Sequence, residues 1–460
     1  MSAWLAAKCP VDTWEKTWVE TWMRRLAEQF GIQRLIRAEL VLPTERYFPE
    51  PYHGTAEDAR RVLDRLSRYL GMNPRTLRVE VAEDGGSPTA AGRDEPGDGP
   101  AAPQAALHDG DRAPTILRVT QSDLAERQRV VAALARALAQ ELLLESGLLS
   151  SNVAEHQWVT DLLPVYLGLG VFTANATIVE ELHDDGRRTW RSLRKQGFLP
   201  ARMLGYALAL FALMRRDERA RWADYLRPDA RAALRAGLRW LRRTGDSLFH
   251  PDTIHQGYRP PSVHEAAFRL RSGSPTVRLA TLWEIGQHRL ESPGLVAAVI
   301  ERLDDPDPVI PGEAARVLAG FGPAAEAAVP RLVQALSSVN DGTRAGAAYA
   351  LGAIGAQPEV VIPELRILLG LGSRALVSAA VAALGQFGSR AEPAIGDLLG
   401  AFTSALVDCE HWLVDVVARS LLAITPDPER RVDEYFEEGD PELRWLALDA
   451  LDENRQIEET

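Results

Sequence analysis

Lysine and cysteine are almost missing from this chain. Of its 460 residues three are lysine (Lys8, Lys16, Lys195) and two are cysteine (Cys9, Cys409). Two thiols so far apart supply neither a cysteine-rich zinc site nor a disulfide framework, so a reduced, cytoplasmic protein is expected. Neither thiol has a local nucleophile motif, and both are expected as buried groups. No run of about 18 apolar residues occurs, which argues against a membrane-spanning helix. The apolar patch at the N-terminus is only Ala3–Ala7, too short for a signal peptide. There is no P-loop, no G-x-G-x-x-G after a strand and no G-x-S-x-G; Gly168-Leu169-Gly170 lacks the third glycine. The nine histidines are scattered; His250 and His255 are five apart in a loop-like stretch, and His156 stands alone. No cofactor and no bound metal are expected.

What is present is an ordinary globular composition, 46% hydrophobic and 25% charged, with a net charge of −12. That charge is unevenly placed. Residues 187–243 carry 16 Arg/Lys against four acids, while residues 426–460 carry 13 acids against four arginines. The first stretch is therefore locally +12 and the second −9.

Repeats set the architecture of the C-terminal half. The segments EAARVLAGFG (313–322), GAAYALGAIG (346–355) and AAVAALGQFG (379–388) end on Gly322, Gly355 and Gly388, each 33 residues from the next. Each is followed by a polar turn and a second apolar helix. Pro330 and Pro363 keep the same offset and are expected in the first helical turn, where no amide donor is needed. One such helix pair cannot bury its apolar stripe alone, so the units must stack. The pattern D-x-x-R-x-x-A-x-x-A-L-x-x-I/F-G, begun by Asp341 and Arg344 and less regularly, one residue longer, by Asp440 and Arg444, resembles HEAT repeats over about residues 264–453. The acidic end then reads as a solubilising cap.

The N-terminal half is mixed. Asp12-x-x-Glu15 is a capping box opening a helix whose Trp14, Trp18 and Trp22 share one face; packing explains that stripe better than base stacking. Phe30-Gly31 ends the helix. Arg34–Leu42 alternates weakly and reads as a strand, and Thr55-x-x-Asp58 caps a helix to about Leu70. Thr76–Val81 and Thr115–Val119 read as strands on either side of a Gly/Pro/Asp-rich stretch, 84–114, expected as a disordered insertion. A long helix is expected from about Ser122 to Glu145, with further helices near Trp158–Leu169, Leu204–Met214 and Pro228–Arg243.

The long helix contains Gln140-Glu141-Leu142-Leu143-Leu144, in register with the H-E-x-x-H of zinc peptidases, with Glu155 and Asp161 following where a third ligand and a supporting acid would stand. With the strand–helix context and Thr160-Asp161-Leu162, residues 12–215 resemble a zincin (metallopeptidase-like) domain. Its combination with HEAT repeats resembles uncharacterised bacterial proteins of that composition. Gln140 and Leu144 replace both histidines, and leucine ligates no metal, so the resemblance implies a degenerate, non-catalytic domain. The alternative is that Glu141 is a polar residue of a packed helix with no ancestral site.

The fold expected is an α+β N-terminal domain (zincin-like, mostly helical with a small sheet) followed by an all-α HEAT-repeat solenoid. The expected division is 1–215, a helical connector and linker at 216–263, and the solenoid at 264–455. The function expected is a non-enzymatic scaffold that binds a protein partner through the solenoid, with no membrane association. The alternative is a nucleic-acid-associated protein using Arg215, Arg216, Arg219, Arg235, Arg239, Arg242 and Arg243, since a +12 stretch suffices for phosphate contacts. A third reading keeps Glu141, Glu155 and Asp161 as a surviving polar site.

Overall fold

The computed structural model describes residues 8–82, 115–148, 153–176, 178–184, 189–195, 197–217, 219–251, 254, 259–370, 373–437 and 439–458. It divides into two units, Met1–Tyr258 and Arg259–Thr460. The stretch 84–114 lies outside the described residues.

The first unit runs α1 (Thr13–Phe30), α2 (Ile32–Arg37), α3 (Ala56–Leu70), β1 (Leu77–Ala82), β2 (Thr115–Thr120), α4 (Gln121–Leu124), α5 (Arg127–Glu145), α6 (Val153–Tyr166) and α7 (Gly170–Asn175). It continues through β3 (Ile178–Asp184), β4 (Thr189–Lys195), α8 (Ala201–Met214) and α9 (Pro228–Thr244). The strands form two separate pairs. β1 and β2 are parallel with Leu77 opposite Thr115, and β3 and β4 are antiparallel with Ile178 opposite Lys195.

Helix α8 is apolar on every side, and such a helix must be surrounded. Met203 to Ala212 are all buried, against α1, α2, α6, α7 and α9. The approach of α9 depends on Gly205: a Cβ there would lie 2.6 Å from the Ala230 carbonyl oxygen and from the Ala233 Cβ. Helix α9, in the segment expected as a connector, thus packs within the first unit.

Both expected capping boxes form, with Asp12 accepting from the Glu15 amide and Thr55 from the Asp58 amide. The tryptophan face packs inward: Trp14 and Trp18 both meet Trp158 edge-on, at centroid distances of 5.7 and 5.4 Å.

Two local expectations are corrected. The strand read at Arg34–Leu42 is helix α2 followed by an extended segment. Gly31, at φ 80°, turns the chain after α1, and Leu35 is then buried within one helical turn. Val41 donates one backbone bond to Gly168, which is not a ladder. The single helix from Ser122 is broken into α4 and α5, with Glu126 extended between them. Arg127 fixes the restart by donating to the carbonyls of Phe48 (3.0 Å) and Glu50 (2.5 Å), contacts that no local pattern encodes.

The second unit contains α10 (Val263–Arg269), α11 (Pro275–His288), α12 (Pro293–Ile300), α13 (Ile310–Phe321), α14 (Val329–Ala335), α15 (Asp341–Ile354) and α16 (Pro358–Leu369). It ends with α17 (Arg374–Phe387), α18 (Ile395–Val407), α19 (His411–Ile424), α20 (Pro428–Tyr435) and α21 (Pro441–Glu458). Helices α11, α13, α15, α17, α19 and α21 pack each on the next, with the even-numbered helices returning between them. Gly322, Gly355 and Gly388 all have positive φ (55°, 66° and 57°), where glycine alone turns the chain without strain. Small residues set the spacing. A Cβ on Gly346 would lie 2.9 Å from the Gly312 carbonyl oxygen, and one on Gly352 2.6 Å from the Ala383 Cα. The Ser420 hydroxyl of α19 donates to the Val381 carbonyl of α17 at 3.1 Å. Near the first repeat, buried Arg278 grips buried Asp305 with two bonds of 2.8 and 2.7 Å.

Pro330 lies in the first turn of α14, as expected, but Pro363 lies inside α16, because Pro358 starts that helix a turn earlier. Cys409 is exposed, not buried, in the turn after α18 with φ 55°.

Replacing Gly352 by Ala is expected to cost about 1–3 kcal/mol, because the backbone of α17 must shift. Gly320→Ala, where an added Cβ meets nothing within 4 Å, should be neutral or stabilising by up to about 1 kcal/mol. Urea unfolding of the full chain followed by circular dichroism checks the pair; equal midpoints would contradict the close stacking.

Candidate functional site

Buried charge in the first unit gathers first around Lys16. Its ammonium lies 3.3 Å from Glu20 on the same helix and 3.4 Å from Asp246. Glu20, fully buried, also accepts from the Tyr206 hydroxyl at 2.6 Å and the Leu248 amide at 2.7 Å. Burial pushes the Glu20 carboxyl above its ordinary value, against the pull of Lys16, Tyr206 and the Leu248 amide. Burial likewise pushes the Cys9 thiol up to about 11, so it is held protonated and is no nucleophile near neutral pH. The cluster joins α1, α8 and residues 246–248, and every group in it is occupied in holding them together.

The peptidase-register residues are divided between different partners. Glu141 is buried and accepts from the Thr115 hydroxyl at 3.1 Å, tying α5 to the start of β2. Asp161 is buried and accepts from the Phe198 and Leu199 amides at 2.6 and 2.8 Å, while its other oxygen lies 2.6 Å from Arg136. Gln140 is half-buried and Leu144 is 47% exposed, so the helix edge where two histidines would stand faces outward. Glu155 is in α6, its side chain outside the described residues. Among the described residues no group of three or more His, Cys, Asp or Glu is gathered to hold a metal ion. Arg136 is the buried-site contact that sequence reasoning missed. Its signal was a single arginine inside LARALAQEL, a stretch otherwise suited to burial.

The arginines of 187–243 do not act as one set. Arg215 turns inward, donating to the carbonyls of Leu35, Ile36 and Ala38 at 3.2, 2.8 and 2.6 Å, where it caps α2. Arg231 is spent on the carbonyls of Asp224 and Leu226. Arg235 is exposed and pairs with Asp224 at 3.3 Å. Arg216, Arg219, Arg239, Arg242 and Arg243 are exposed, the last three on the outer face of amphipathic α9.

The solenoid surface is different in kind. Of twelve large apolar side chains exposed among the described residues, nine are in the second unit, including Tyr349, Val360, Ile367, Trp412, Tyr435 and Trp445. All four arginines of the acidic end are paired within the unit: Arg430 with Glu434, Arg431 with Glu392, Arg444 with Asp433 and Arg455 with Glu429.

Residues 266–352 and 296–385 match the family model of HEAT repeats, which agrees with the stacked helix pairs. No curated protein matches the chain. Among solved structures, the complex of CpcE and CpcF of phycocyanin lyase from Nostoc sp. PCC7120 is similar at 24% identity and a TM-score of 0.32, over 42% of this chain and 77% of that one. An engineered protein is similar at 16% identity and a TM-score of 0.32, over 72% and 97%. Importin beta is similar at 10% identity and 0.28, over 72% and 48%. Overlays at such scores carry no argument, and the repeat assignment rests on the family match and the geometry. The metallopeptidase-like reading of residues 12–215 gains nothing from them. No helix among the described residues is long and apolar enough to cross a membrane.

Asp161→Ala is expected to destabilise the fold by about 3–5 kcal/mol, since it removes the carboxylate that Arg136, the part-buried Phe198 amide and the buried Leu199 amide share. Leu144→Ala, at an exposed position, should stay within about 0.5 kcal/mol. Thermal and urea unfolding check both; a neutral Asp161→Ala would show that the carboxylate is not a fold constraint.

Proposed function

We propose that this protein is a non-enzymatic adaptor whose HEAT solenoid binds a protein partner. One observation carries the reading: exposed apolar and aromatic side chains are concentrated on the second unit, at nine of the twelve positions described. A stacked solenoid buries its core between repeats, and apolar side chains left outside that core are available for contact with a partner. Tyr and Trp dominate the energetics of protein interfaces because each offers a large rigid apolar body with a polar tip.

The polar residues of the first unit fit the same reading. Lys16, Glu20, Glu141 and Asp161 are each bound to partners outside their own helix and are used up in the fold. No catalytic role is assigned to Gln140, Glu141, Glu155 or Asp161. Nucleic-acid binding through the arginine segment is the weaker reading. Arg215 is withdrawn onto backbone carbonyls, Arg235 is paired, and the solenoid ends in a strongly acidic segment that repels phosphate.

Purification of the full-length protein from its native cells tests the proposal. The wild type should recover a polypeptide in fixed stoichiometry, and Tyr349→Glu with Ile367→Glu should reduce it at least tenfold without changing the melting temperature. Arg239→Glu with Arg243→Glu should leave it in place. Recovery of nucleic acid that is lost in the arginine variant alone would overturn the reading.

A further inference from the structure

The repeat spacing leaves an open, shallow groove on the solenoid. Thirty-three residues after Pro363 and Ile367 stand Gly396 and Gly400, so side chains carried by α16 are missing from α18. A Cβ on Gly396 would meet nothing within 4 Å, and one on Gly400 would meet only the Tyr435 hydroxyl, at 3.8 Å. The space between α18 and α20 is a groove of about 540 Å³. Ile395, Gly396 and Leu399 form its apolar floor and Tyr435, 46% exposed, forms a wall.

Exposed ion pairs lie around the groove. Arg431 reaches Glu392 at 2.7 Å and Glu434 at 3.8 Å, tying α20 to the turn before α18, and Arg366 bonds Asp397 at 2.5 Å from α16. The charged groups lining the groove are Glu392 and Glu434 against Arg431, a net negative set, and the chain beyond α18 adds to that sign. The segment that supplies Tyr435 and Glu434 carries 13 acids against four arginines, and all four arginines are already paired. The excess negative charge attracts cations and repels acidic chains.

We infer that this groove takes a short extended segment of a partner polypeptide, with a small or branched apolar residue seated on Gly396 beside Tyr435 and arginine or lysine on either side. A flanking guanidinium gains further from the exposed face of Tyr435. The inference rests on the adaptor reading and specifies its chemistry. A second copy of this chain is the weaker occupant, because the described exposed arginines on α9 belong to a helix that is folded against α8.

Fluorescence anisotropy with the full-length protein tests it, using two labelled peptides, Arg-Arg-Leu-Pro-Arg-Arg and its charge-reversed form Glu-Glu-Leu-Pro-Glu-Glu. The basic peptide should bind saturably, with affinity that falls as salt rises, and the acidic one should not bind. Gly396→Leu fills the groove at an exposed helical position and should lower the affinity at least tenfold, with an unchanged melting temperature; Tyr435→Ala should do the same. Equal binding of both peptides, no binding of either, or full affinity in Gly396→Leu would overturn the inference. So would self-association, measured by sedimentation, that disappears in Gly396→Leu. If Gly396→Leu keeps the native partner while Tyr349→Glu with Ile367→Glu loses it, the groove fails and the adaptor reading stands. If neither variant affects recovery, the adaptor reading fails.

Discussion

The second unit depends on how closely one helix can lie on the next. From α13 to α19 glycines meet small neighbours on the adjoining helix, Gly346 against Gly312 and Ala315, Gly352 against Ala383 and Gly385 against Ser420, and at Gly346 and Gly352 a single added carbon would meet a neighbouring backbone. Each helix pair buries its apolar stripe only against the following pair, so the close approach has to be repeated or the stack ends. Repetition also explains the surface. Side chains that point away from the stack recur at fixed intervals, and a substitution at one interval, such as Gly396 in place of proline, appears as a change of surface shape. The core remains the same.

The first unit solves a different problem. An apolar helix at its centre needs neighbours on every side, and those neighbours come from distant parts of the chain. Buried ions fix how they meet: Lys16 and Glu20 are locked to Tyr206, Asp246 and Leu248, and Asp161 is locked to Arg136 and the two amides that precede α8. Such pairs add little net stability against an apolar alternative, but breaking one leaves a charge stranded. Glu141 and Asp161, which resemble part of a peptidase site in the sequence, are thereby engaged as fasteners between elements of the fold.

What could be read from the sequence follows the range of the interactions involved. Gly322, Gly355 and Gly388 were legible because turn chemistry is local and the period is regular, and the capping boxes at Asp12 and Thr55 were legible for the same reason. Pro363 was misplaced because Pro358, one turn earlier, is an equally good helix start. The strand read at Arg34–Leu42 failed because weak alternation over a few residues does not distinguish a strand from one buried helical turn. Neither Tyr206 with Glu20, 186 residues apart, nor Arg136 with Asp161 has a local signal. The groove at Gly396 was invisible because a glycine becomes a cavity only when its neighbours in the stack are known.

The central claim is that the solenoid, and not the arginine face of α9, is where a partner binds. A photoreactive phenylalanine analogue placed singly at Ile367, Tyr435 and Arg239 of the full-length protein, then irradiated in the native cells, tests it most directly. The account predicts protein adducts of defined mass at Ile367 and Tyr435 and none at Arg239. Adducts to protein or nucleic acid at Arg239 with none at the two solenoid positions would contradict it.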